Sequence, residues 1–150
     1  MNIARLRRGL TLPAAERRLA IEALLLLAVS RTLLAVLPFR IAVRWLGLRR
    51  GSETDGDDGN GSPTAAIVHL VADAVRRAAS VAPFRAVCLQ QAVTAALMLR
   101  FRGYGVQVHF GVARDADRNM IAHAWSRCQG VLVTGGQQMR AYSPISMFVT

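Results

Sequence analysis

The chain has 150 residues and a formal net charge of +10. That length is most simply one domain with a buried core. Two cysteines 40 residues apart and three scattered histidines match no zinc spacing. The basic balance does not read as a nucleic-acid footprint. Every basic residue is Arg, none is Lys, and the arginines are spread along the chain without interleaved aromatics. An acidic peptide partner or a membrane surface accounts for the charge equally well. The first residues lack the order of basic, apolar and small-residue regions that marks a signal peptide. A cytoplasmic protein with both thiols reduced is therefore expected.

Charge divides the sequence into three segments. Residues 1–50 carry ten Arg against Glu16 and Glu22. Residues 51–62 hold four acids and no base, and they read as an acidic flexible linker too poor in apolar residues to fold. Residues 63–150 hold nine Arg and three Asp and read as the main folded domain.

The first segment is Leu-rich and helical, with Thr11 as a cap and Pro13 in the first turn. The run from Ala20 to Leu37 approaches the length of a membrane span. Glu22 lies near one end, Arg31 falls inside, and Pro38 stops it. A central Arg costs a span at least ~2.5 kcal/mol. Helices packed on the domain, or a helix lying on a membrane or partner, fit better.

Ser62-Pro63 begins the next helix, with Ile67, Leu70, Val71, Ala74, Val75 and Ala78 on one face and His69 partly buried beside it. Val81-Ala82-Pro83 ends it. A further helix is expected from about Phe84 to Arg102, stopped by Gly103 and Gly105. Val106 to Val112 alternate as a strand, Asp115 to Asn119 make a polar loop, and Ile121 to Cys128 form a second strand. Gln129-Gly130 turns the chain into a third strand from Val131. Ile145, Met147 and Phe148 give a closing strand. Helices followed by an antiparallel meander define an α+β domain.

Cys88 and His123 are the candidate catalytic pair; the plain alternatives are a core-packing cysteine on an apolar helix and a polar surface histidine on a strand. A helix N-terminus supplies partial positive charge and unpaired N–H groups, which favour a thiolate and an oxyanion. An imidazole within reach then accepts the thiol proton and later protonates a leaving amine. Cys128 lies five residues after His123, on the opposite face of a regular strand, and is the poorer nucleophile. Trp125 shares the His123 face, either walling the site or packing in the core. His109 faces away from Val108 and Phe110, solvated or lining the cleft. Gly135-Gly136 is a plain turn or a place where a substrate backbone approaches closely.

Four blocks occur in order: Cys88-Leu89-Gln90-Gln91, Arg100-Phe101-Arg102-Gly103-Tyr104-Gly105, Gly111-Val112-Ala113-Arg114-Asp115 and Ala122-His123-Ala124-Trp125. Together they resemble the lasso-peptide maturation B proteins, leader peptidases of the transglutaminase-like superfamily. Leu37-Pro38-Phe39-Arg40 is also similar to short members of that group. The resemblance covers about residues 63–150 and implies that they form a transglutaminase-like catalytic domain of papain-like cysteine protease fold, with Cys88 as nucleophile and His123 as base. It implies cleavage of a leader from a ribosomally made precursor peptide. It also implies two partners, a small leader-recognition protein and a macrolactam-forming cyclase that uses ATP, while this chain needs no cofactor or metal. An acyltransferase on the same fold and a non-catalytic peptide-binding module are the alternatives.

One departure stands out. Such proteins often carry an acid on the strand after the histidine strand, and this chain has no Asp or Glu after Asp117. A two-residue turn at Gln129-Gly130 would set Gly135, Gly136 and Gln137 opposite His123. The orienting group is then Asp115, Asp117 or Asp73 from upstream, or Gln137, Thr134, a backbone carbonyl or water.

Overall fold

A computed structural model describes residues 13–52, 65–137 and 139–150. Thr11, the Ser62-Pro63 helix start and most of the expected linker lie outside the described residues.

Helix α1 runs Ala14–Val36, directly after Pro13. Its inner face carries Ala23, Leu27 and Ser30, all fully buried, at helical spacing. The charges that argue against a membrane span are each tied to the rest of the fold. Glu22 accepts two hydrogen bonds from Arg102, at 2.8 and 2.7 Å. Glu16 pairs with Arg77 at 2.7 Å. Arg31 donates to the Arg85 carbonyl at 3.2 Å and lies over the Phe84 ring. The hydrogen bonds that Arg102 donates to Glu22 are the main reason its guanidinium is held above its ordinary range, with burial opposing them. Pro38, which cannot continue α1, starts helix α2, Phe39–Trp45. Phe39 reaches the sheet, edge-on to Phe110 and Phe148. Strand β1 is only Arg49–Arg50.

Helix α3, Ala65–Val81, buries Val68, Val71, Ala74, Val75 and Ala78. The buried face includes Val68 in place of the expected Leu70, which is 41% exposed, and His69 is exposed instead of partly buried. Helix α4 is Cys88–Arg100, shorter at its start than expected, because Phe84 to Val87 form a non-helical approach. Gly103, at φ +84°, turns the chain out of α4, and the Tyr104 N–H donates back to the Leu99 carbonyl.

The remaining strands are β2 Gln107–Arg114, β3 Met120–Cys128, β4 Val131–Thr134 and β5 Ser143–Val149. The sheet order is β1-β5-β2-β3-β4. Strands β2 to β4 form the expected meander. The closing strand does not extend it: β5 returns to the far side of β2 and pairs antiparallel there. Both turn residues Gln129 and Gly130 have positive φ, the tight hairpin geometry whose twist matches the strands it joins. Val108, Ala124, Cys128 and Val133 join the core formed with the helices. The architecture is α+β, with four α-helices among the described residues packed on a small antiparallel sheet.

The Glu22–Arg102 pair joins α1 to the end of α4 while keeping both side chains about 30% exposed or less. Glu22→Ala is expected to cost about 1–2 kcal/mol, above an ordinary surface pair because the contact is bidentate and partly shielded. Thermal unfolding of the variant beside the parent checks this.

Candidate active site

Cys88 is the first residue of α4, and the residues around it explain how that end is fixed. The Val87 N–H, left without a helical partner, donates to the Gln90 side chain at 3.1 Å. The Gln91 amide donates to the Ala86 carbonyl at 2.9 Å. The two glutamines after Cys88 therefore both hold the approach that precedes it. This is half of a capping box, with valine where Ser or Thr would complete it. The Cys88 thiol is free and half-buried.

His123 lies on β3, opposite Gly111 of β2. Alternation puts it on the sheet face of Trp125 and His109, while Ala124, Ser126 and Cys128 are buried on the other face. Trp125 is stacked between the two imidazoles, with ring centroids 5.5 Å from His109 and 6.2 Å from His123. Tyr142 closes on His123 at 5.0 Å. Gly111 makes this cluster possible. A Cβ there would stand 2.9 Å from both the Trp125 ring and the Tyr142 Cβ.

The group that orients His123 is a backbone carbonyl. Nε2 lies 2.8 Å from the Gly135 oxygen. A carbonyl only accepts, so Nε2 carries the proton, and in the neutral ring Nδ1 is left as the base. The position of Gly135 follows from two local features. A register shift between Ser126 and Arg127 leaves Val133 as an extra residue, so Ser126 pairs with Thr134 and β4 stops there. Gly135 then takes φ +77°, and a Cβ would lie 2.6 Å from the Ala124 carbonyl oxygen, so only glycine fits.

The upstream acids do not take this role. Asp115 accepts the N–H groups of Asp117 and Asn119, closing its own loop. Asp73 pairs with Arg76 at 2.7 Å. Among the described residues, no carboxylate bonds His123. Gln137 and Thr134 line the cleft but do not bond the ring. Cys128, as expected, lies away from His123, fully buried with its thiol on the Gly105 carbonyl.

Cys88 and His123 line one cleft of about 500 Å³. Its other walls are Ala72 and Arg76 of α3, Gln91 of α4, and the segment from Val133 to Gln137. No hydrogen bond joins the thiol to the imidazole, so the two groups share a cleft without forming a closed pair. Catalytic hydrogen bonds are often long or unformed before substrate binds. Among the described residues no group of His, Cys, Asp and Glu could hold a metal ion.

Sequence reasoning did not find Arg76, Ala72, Gln91, Gly111 or Tyr142. The first two depend on how α3 lies beside α4. Gln91 stood in a quoted block without an assigned contact. Gly111 and Tyr142 meet only because β5 returns to β2.

The fold is α+β, with a thiol at the start of its central helix and an imidazole on the adjoining sheet. The sequence matches the transglutaminase-like superfamily over residues 33–147, and the chain belongs to it. That superfamily includes cysteine peptidases and acyltransferases. No curated protein and no solved structure matches the chain.

Gly135→Ala tests the histidine support. The strained φ and the Ala124 clash are expected to cost about 1–3 kcal/mol. Nitrogen NMR of the His123 ring should show loss of the single Nε2–H tautomer, and unchanged ring signals would show that another group orients it.

Proposed function

We propose that this chain is a cysteine peptidase that removes the leader from a lasso-type precursor peptide. The observation that carries the chemistry is that Cys88, at the N-terminus of α4, and a tautomer-fixed His123 line one cleft. The precursor class rests on the resemblance of the four ordered blocks to lasso-peptide B proteins. A peptide substrate also suits the sheet. Strand β4 is its edge, and it leads into the side-chain-free Gly135-Gly136 wall of the cleft. An extended peptide can add beside such an edge through main-chain hydrogen bonds.

In the proposed reaction the Cys88 thiol passes its proton to Nδ1 of His123 while Sγ bonds to the scissile carbonyl carbon. The Nε2–H bond to Gly135 strengthens as the ring becomes cationic. The oxyanion faces unpaired N–H groups at the start of α4. The C–N bond then breaks, and the imidazolium gives its proton to the departing amine, leaving a thioester. Water attacks the thioester, His123 takes a proton from it, and that proton returns to sulfur as the acid leaves. The step requires thiol and Nδ1 to close to hydrogen-bond reach when peptide fills the cleft.

A small leader-recognition protein would present the precursor, and an ATP-using cyclase would consume the product. This chain itself would need no cofactor. Precursor cleavage, followed by mass spectrometry with the recognition protein present, tests the reading. Cys88→Ala and His123→Ala should each lower the rate at least about a hundredfold, and Cys128→Ala should keep it. Full activity in both site variants would refute the assignment. A product joined to an amine in place of a hydrolysed leader would make the chain an acyltransferase.

A further inference from the structure

Helix α1 has a second apolar face. Ile21, Leu25 and Val29 follow one another at four-residue steps, and Val36 continues the line two turns later. They point away from Ala23, Leu27 and Ser30 and take no part in the core cluster. Leu25 is 64% exposed and Val36 74%. From Ile21 to Val36 the stripe is about 22 Å long at 1.5 Å per residue. A helix this apolar is ordinarily a core helix, yet its outer half has nothing packed on it among the described residues.

The ends of the stripe are cationic. Arg17 and Arg18 are exposed at its start, and Arg40 and Arg44 of α2 are exposed beyond its finish. The two acids of α1 are already paired, Glu16 with Arg77 and Glu22 with Arg102. Trp45, at the end of α2, is 74% exposed. Thr32 also lies on this face, with its hydroxyl bonded back to the Ala28 carbonyl at 2.9 Å. A mainly aliphatic stripe with arginines at both ends and an exposed tryptophan is the pattern of a helix lying in the headgroup layer of a membrane. The charge complement is an anionic surface. Helix α1 is long enough to cross a bilayer, but crossing would break its ties to Arg77, Arg102 and Arg85.

We propose that the outer face of α1, together with Trp45, docks this protein peripherally on an anionic lipid surface. The stripe enters the acyl boundary while the flanking guanidinium groups stay among the phosphates. This surface is separate from the Cys88 cleft and does not depend on the peptidase reading.

The test uses the full chain with vesicles of phosphatidylcholine, with and without phosphatidylglycerol. Cosedimentation is expected with the anionic vesicles only and should be lost near 1 M NaCl, where the Debye length is about 3 Å. The two tryptophans report the geometry. Brominated lipid should quench Trp45 and spare Trp125, which is only 4% exposed. Trp45→Phe should remove the quenched component. The double variant Leu25→Glu with Val29→Glu should weaken vesicle binding at least about tenfold. Its melting temperature and its rate of Cys88 alkylation should stay at the parent values. Absence of binding to anionic vesicles, equal binding to neutral ones, or unchanged binding by the double variant would overturn the proposal. So would self-association that the double variant abolishes in the absence of any vesicle binding, which would assign the stripe to a second copy of the chain.

Discussion

Helix α4 is enclosed along its length: from Ala92 to Leu99 each residue is buried. A helix that is apolar on all sides has no solvent face to offer, so other elements must wrap it. Here α1 and α3 cover it from one side and β2, β3 and β4 from the other. Burial of this kind fixes the helix axis, and with it the place where the axis emerges. It emerges at Cys88. The proposed reaction then needs that the emerging end be held and that an imidazole be brought to the same cleft. Gln90 and Gln91 hold it by bonding the approach at Val87 and Ala86.

His123 is placed by a different kind of constraint. Nothing charged orients His123, and three backbone features act in its stead. Gly111 leaves room for Trp125 and Tyr142 against the imidazole. The bulge at Val133 ends the β4 ladder. Gly135 accepts a conformation and a closeness that a side chain would forbid, and this aims its carbonyl at Nε2. A carbonyl selects the same tautomer a carboxylate would select. It lacks the full negative charge that stabilises an imidazolium, so such a site relies more on geometry than on electrostatics.

Most of the elements could be read from the residues because their signals are local. Alternation from Val106 to Val112 and the turn at Gln129-Gly130 mark β2 and the β3–β4 hairpin. Apolar spacing marks α3, although it gives the buried face only to within a residue, which is why His69 and Leu70 proved exposed. The start of α4 was hidden because Val87 carries no capping side chain, and its cap comes backwards from Gln90. The path of β5 was hidden for a topological reason. Its apolar residues specify a strand but not which edge of the sheet it joins. The missing acid was plain in the sequence, and its replacement was not. A backbone carbonyl has no letter of its own, and only the combination of a bulge with a glycine at positive φ brings it to the ring.

Helix α1 shows how a charge inside an apolar run can be satisfied by a partner distant in sequence. Arg31 looks like a defect in an apolar run, yet its partners lie 53 and 54 residues away, at Phe84 and the Arg85 carbonyl. Those residues belong to the approach that Gln90 and Gln91 tie to the start of α4. Helix α1 is therefore more than a cover for the core. Its inner face packs on the buried helices, and its one central cation steadies the chain entering Cys88. Loss of the α1 packing would release that approach as well as expose apolar surface, so the first helix and the thiol end of α4 form one mechanical unit.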